Sequence, residues 1–206
     1  IKLMFLKNIF TLTTLSLLVY PLSLINQLLV SYYFGTSKYL DLYWLLMSYI
    51  LLLVIHIQPL KEIFVNEYFK LNSDIAFRNK ITNENLLFWL LFIIFGSLFI
   101  FIYEDKIYVT YFTDFYHLNK DIIYKLYKLL ILYVILFYLS EFFNGILIAK
   151  NIVAYQGMSK ILTVISSIIS IIILVKKFGI LSLGIGVNFG MFILLLFQIK
   201  SLYKLN

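Results

Sequence analysis

The sequence predicts an all-α integral membrane protein of about six transmembrane helices, on three observations. Of its 206 residues, 63% are hydrophobic and only 13% charged, with a mean hydropathy of +0.97. A soluble domain of this size has too little interior to bury so much apolar surface. The charges leave several windows of about 20 apolar residues, the length needed to cross a bilayer's hydrocarbon core. No segment of about 10 residues alternates apolar and polar side chains, as a membrane barrel would require.

The first helix is expected at about residues 10–31. Its opening, IKLMFLKNIFTLTTLSLLVY, has the basic start and apolar run of a signal peptide. No small-residue cleavage site follows and the run continues to Val30, so it reads as a retained helix. A start at Ile1 rather than methionine raises the expectation of a fragment. The second helix is expected at 40–60, and residues 61–84, mixing acids with bases, as a helix extension followed by an amphipathic surface segment. Pro21 and Pro59 each remove a backbone hydrogen bond and predict a kink, either a tolerated one or the wall of a cavity.

A third span is expected at 85–103. Residues 104–126 then mix aromatic residues with charges, as in YVTYFTDFYHLNKD, which suits an interfacial belt. The remaining spans are expected at 127–149, 159–175 and 180–199, so that residues 1–206 make one six-helix unit. With the amino terminus inside, ten Lys and Arg residues fall inside and seven outside, a bias that favours both termini in the cytoplasm. The net charge of +7 comes from scattered single residues, which argues for a headgroup-facing rim and against nucleic acid.

Polar groups within apolar spans are costly, so each is a functional candidate. Glu141 is the most expensive: flanked by FYLS and FFNG, it must face a wet cavity, find a partner or stay protonated. Cavity or ion-coupling work and a structural hydrogen bond both remain open for it. Asn144 lies one turn further along the same span. His56 reads first as a structural histidine, with a proton relay to Glu141 if their helices are neighbours. Asn26, Gln27 and Gln58 suit either a sugar or headgroup site or bonds between helices. Asn188 reads as packing glue.

GILSLGIGVNFG, residues 179–190, has the glycine density of a nucleotide loop without its strand, turn and helix context. Gly186 and Gly190 form G-x-x-x-G, which lets another helix approach closely. There is no G-x-S-x-G, no H-E-x-x-H, and no cysteine. His117 beside Asp114 and Asp121 reads as a hydrated loop before it reads as a weak cation site. An enzyme is therefore not expected, nor a cofactor or a metal site.

The stretch NQLLVSYYFGTSKYLDLYW resembles the first helix hairpin of the MurJ/MviN lipid II flippases, within the multidrug, oligosaccharidyl-lipid and polysaccharide exporter superfamily. The family pattern of F-G, a small-residue turn, then an aspartate followed by an aromatic is matched by Phe34 and Gly35, Thr36 and Ser37, Asp41, and Tyr43 and Trp44. EIFVNEYFKL, NGILIAKN and KFGILSLGIGVNFG resemble later segments in the same order. In the hairpin Gly35 permits a tight turn, and Asp41 sits where a helix amino end favours a carboxylate. Phe34, Gly35 and Asp41 are thus expected to be architectural.

The resemblance implies one six-helix lobe of a two-lobed MurJ/MATE-like flippase fold, with the substrate path between lobes. It implies transport of a lipid-linked saccharide or peptidoglycan precursor, lipid II-like, across the cytoplasmic membrane by alternating access. The substrate cavity would be lined by Asn26, Gln27, His56, Gln58, Glu141 and Asn144. The second lobe would belong to the same chain or to a partner subunit. Where the family reads R-D this chain has Asn26 and Gln27, and Arg78 is its sole arginine. Other cations then handle the substrate, or a less anionic lipid is carried, or transport has been lost. The alternatives are a small-molecule or drug antiporter coupled to a proton or sodium ion through Glu141, and a non-transporting scaffold for envelope synthesis.

Overall fold

A computed structural model describes residues 2–55, 57–70, 82–84, 86–91, 94, 115 and 119–205. Among these the chain is helical and contains no strand. The helices are α1 (Lys2–Phe34), α2 (Lys38–Val54), α3 (Ile57–Lys70), α4 (Lys120–Ala149), α5 (Ala154–Phe178) and α6 (Leu181–Leu205). Five stretches of described residues are long and apolar enough to cross a membrane: Phe10–Phe34, Lys38–Tyr68, Lys120–Ala149, Ala154–Phe178 and Leu181–Lys204. They contain or overlap the spans expected at 10–31, 40–60, 127–149, 159–175 and 180–199. Most of the span expected at 85–103 lies outside the described residues, as do His56, Asp114 and His117; residues 86–91 are helical.

The helix boundaries follow from local chemistry. Gly35 ends α1 with φ +53°, and its N–H donates to the Ser31 carbonyl at 2.9 Å. Two residues later Ser37 caps α2, its hydroxyl accepting from the Leu40 N–H at 3.3 Å, while Asp41 occupies the first turn. The break between α2 and α3 falls about four residues before Pro59, whose ring in a continuous helix would crowd the Ile55 carbonyl and which has no N–H to offer it. α1, by contrast, continues through Pro21.

Asn119 caps α4 by accepting from the Asp121 N–H at 2.9 Å. At the other end Asn151 adopts φ +63°, and the N–H groups of Asn151 and Ile152 donate to Ile148 and Leu147 at 2.8 Å each. That pair of bonds closes the helix as a Schellman motif. α5 ends at Gly179, also at positive φ.

α4 is the hub of the bundle, touching α2, α3, α5 and α6. α5 and α6 make the most extensive contact, and small residues explain it. A β-carbon on Gly186 would stand 2.7 Å from the Ser167 Cα, and one on Gly190 would stand 2.6 Å from the Thr163 Cα. Ser166, Ser167 and Ser170 line the opposing face of α5 and are buried. Helix backbones that approach this closely gain dispersion contact, the main source of association where lipid replaces water.

Asn188, on α6, turns to α4: its Nδ2 donates to the Leu129 carbonyl at 2.7 Å and also to the Gly184 carbonyl of its own helix at 2.7 Å. Gly157 on α5 receives α1 at Leu15. The rest of α1 is largely uncovered, with Leu17, Leu24 and Leu28 exposed, as suits a helix apolar on all sides and bathed in lipid.

Candidate functional site

The most expensive polar group within the apolar spans has a partner. Lys61 Nζ on α3 lies 2.5 Å from Glu141 Oε2 on α4, in a pair whose side chains are 4% and 11% exposed. Lys61 opens the charged segment 61–84 and on composition alone belongs to the solvated rim. The structure instead turns it inward, where its stem packs beside Gly145: a β-carbon there would meet Lys61 Cγ at 3.3 Å and Phe64 Cδ1 at 3.2 Å. A buried pair of this kind holds because each ion would cost several kcal/mol without the other.

Aromatic rings stand on the same helix turns as the pair. Phe64 stacks near Phe142 at 5.9 Å between centroids, and Trp89 lies 5.8 Å from Phe142 and 6.1 Å from Tyr138. These rings keep the local environment apolar, which strengthens the attraction between the two charges.

On an adjoining face of α4, Ser140 and Asn144 stand one turn apart, 0% and 1% exposed. Gln198 of α6 reaches across, its Nε2 donating to the Ser140 carbonyl at 3.2 Å. Ser140 Oγ, Asn144 Oδ1 and Gln198 Oε1 are buried without a hydrogen-bond partner among the described residues. One turn of α4 thus carries the carboxylate and a set of unmatched oxygens, in a region where unmatched polar atoms are rare.

The remaining candidates are distributed elsewhere. Gln58 is exposed on α3 and donates to Glu62 Oε1 at 3.2 Å. Gln27 is exposed on α1, whereas Asn26 is half-buried with its Oδ1 enclosed and unpartnered among the described residues. His56 lies outside the described residues. Phe34 packs against the core, and Gly35 and Asp41 are exposed at the turn.

Helix register shows how far apart these groups lie. Phe34, Ile122 and Lys125 line one cavity, so the carboxyl end of α1 is level with the amino end of α4. At 1.5 Å per residue, Asn26 sits about 12 Å below that end and Glu141 roughly 25 Å below it. The hairpin-side amides and the Lys61–Glu141 pair therefore occupy two depths of the bundle. Among the described residues no group of three histidine or acidic side chains is placed to hold a metal ion.

Lys61, Ser140 and Gln198 were missed as site residues. Lys61 hides in a charged segment, and Ser140 and Gln198 are too mild in polarity to stand out beside Glu141. The one available signal was stoichiometric: a carboxylate buried in an apolar span needs a cation, and Lys61 closes the facing span.

No curated protein and no solved structure matches the chain significantly. A family model described as lipid II flippase MurJ matches residues 30–206. The matched region takes in the Phe34–Asp41 hairpin, the Lys61–Glu141 pair and the Gly186–Gly190 contact; it begins after Asn26 and Gln27. With most of its length matched, from the first hairpin onward, the chain belongs to the MurJ lipid II flippase family.

Proposed function

We propose that this protein is a transporter, not an enzyme, that moves a lipid-linked saccharide or peptidoglycan precursor, lipid II-like, across the cytoplasmic membrane by alternating access. Residues 1–206 form one six-helix lobe, and the path is completed by a second lobe of the same chain or of a partner subunit. Family membership supports the reaction class. The observation that carries the mechanism is the buried Lys61–Glu141 pair.

In a family whose substrate headgroup is anionic, Lys61 is the cation that takes the place of the absent arginines. While Glu141 is ionised, the ammonium is neutralised and has no net attraction for a pyrophosphate. A proton or sodium ion arriving at Glu141 cancels the carboxylate charge and leaves Lys61 an uncompensated cation in an apolar setting, where its pull on an anion is strongest. Loss of the ion re-forms the pair and releases the headgroup. Asn144, Ser140 and Gln198 supply further oxygens to the same turn, while Asn26, Gln27 and Gln58 contact the sugar or headgroup at other stages of passage. The prenyl tail stays in lipid.

The test is flipping of a fluorescent lipid-linked saccharide by the native protein in proteoliposomes. Lys61→Gln and Glu141→Gln are each expected to abolish it, and Asn26→Leu with Gln27→Leu to impair it while membrane insertion persists. Normal flipping by Lys61→Gln would remove the pair from the mechanism. Gradient-driven uptake of a small cation or drug, lost in Glu141→Gln, would instead identify an antiporter. No flipping by the native protein, together with cell growth unchanged by every one of these substitutions, would identify a scaffold.

A further inference from the structure

At the opposite end of the bundle from the Lys61–Glu141 pair is a cavity of about 620 Å³ that transport chemistry does not use. Three junctions of the chain converge on it: the α1–α2 turn, the first turns of α4 and the α5–α6 turn. Its polar lining residues are cationic and hydroxylic: Lys125 and Lys177, with Tyr33, Ser37 and Tyr39. Its apolar lining includes Phe34, Ile122, Val175 and Leu181. Among the described residues no acidic side chain lines it.

We infer that this cavity binds the phosphate of an anionic glycerophospholipid headgroup, as a resident lipid distinct from any translocated cargo. The helices end here, so the cavity lies at headgroup depth in a bilayer that they cross. Two lysines supply point charges for a phosphate diester, and hydroxyl donors fix its oxygens. The amino ends of α2, α4 and α6 all face this side, and their backbone dipoles add positive potential. Asp41 and Asp121 stand in the first turns of α2 and α4 but are exposed and outside the cavity lining. The apolar wall gives the glycerol end of the acyl chains a surface to follow. A pocket that is basic on one side and apolar on the other fits an anionic lipid better than a free anion, which has no use for the apolar half.

The experiment is native mass spectrometry of the full native protein released from nanodiscs that contain phosphatidylglycerol and phosphatidylcholine in equal amounts. Wild type is expected to retain phosphatidylglycerol in preference. The Lys125→Gln/Lys177→Gln variant is expected to lose roughly tenfold of that preference, the scale of two interfacial charges discounted for screening. Lys200→Gln/Lys204→Gln, at the other end of the bundle, is expected to keep it, and Lys125→Arg/Lys177→Arg to restore it even if the glutamine variant folds poorly. Equal retention of the two lipids by wild type, or equal loss in both glutamine variants, would overturn the site. Inorganic phosphate is added as a competitor: if it binds with the same lysine dependence while neither lipid is retained, the ligand is a free phosphate and the lipid assignment fails. Because the readout is lipid retention, these outcomes are independent of whether the protein flips a lipid.

Discussion

Lys61 and Glu141, eighty residues apart in sequence, form a direct charge pair that ties α3 to α4 inside an apolar region. Neutralising one member leaves the other buried and unpaired, which typically costs about 3–5 kcal/mol. Lys61→Met and Glu141→Leu are each expected to lower the unfolding temperature in detergent sharply. The double variant, which removes both charges, is expected to recover most of the loss. The pair's structural role and its proposed transport role part in the double variant: a protein that is stable yet inactive in flipping would separate the two. A double variant no more stable than the singles would show that the pair is not the dominant contact.

Gly190 faces backbone and Gly184 faces a side chain, and their alanine variants should differ accordingly. A methyl at 190 meets Thr163 Cα and the Leu162 carbonyl, atoms that move only if α5 and α6 separate. A methyl at 184 meets Leu129 Cβ and Cδ1 at 3.2 Å each, a milder approach in which Cδ1 yields by rotation and Cβ by a shift of a few tenths of an ångström. Overpacking against fixed atoms costs about 1–3 kcal/mol, so Gly190→Ala is expected to be the more damaging in thermal unfolding. An equal effect would mean the α5–α6 contact is looser than its geometry.

Gly35 is constrained by backbone conformation rather than space. A β-carbon there would meet only the Ser31 carbonyl at 3.9 Å, yet φ is +53°. An L-residue in that region costs roughly 1–2 kcal/mol. Gly35→Ala is therefore expected to lower stability by about that amount, and Gly35→Asn by less, since asparagine tolerates left-handed geometry. Thermal unfolding of the two variants decides it; equal loss would point to sterics instead.

Asn188 links α6 to α4 through the Leu129 carbonyl. Interhelical hydrogen bonds in membranes average about 0.6 kcal/mol, with a maximum near 1.7. Asn188→Leu is expected to fall within that range in unfolding measurements. A larger loss would assign the residue more than this one bond.

The chain contains no cysteine, so single introduced cysteines report topology without background. The proposed orientation, both termini in the cytoplasm, predicts that a cysteine at Lys38 or Lys177 reacts with a membrane-impermeant maleimide added to intact spheroplasts. One at Lys150 or Lys204 is expected to react only after permeabilisation. The reverse pattern would invert the bundle. Burial of Lys61 removes it from the inner rim and narrows the positive-inside bias on which the orientation rests.

Membrane class, helical architecture, five helices long and apolar enough to cross a membrane and the hairpin at Gly35 follow from local chemistry and so were readable along the chain. Apolar length sets a span, a glycine permits positive φ, and a serine two residues on caps the next helix. The break before Pro59 was legible as a kink for the same reason, since a missing N–H acts within one helical turn.

Contacts between helices are a different matter. Linear sequence marks Glu141 as needing a partner but does not name Lys61, because pairing depends on which face of α3 meets α4 and at what depth. Gly145 makes that approach close, and nothing in its neighbours announces it. Likewise G-x-x-x-G promises a helix contact at Gly186 and Gly190, but only packing selects α5 as the partner and turns Asn188 toward α4. Rotation of each helix about its axis is decided by long-range packing. That rotation sends Lys61 inward, leaves Gln58 on the outside, and gathers Lys125 and Lys177 around one cavity.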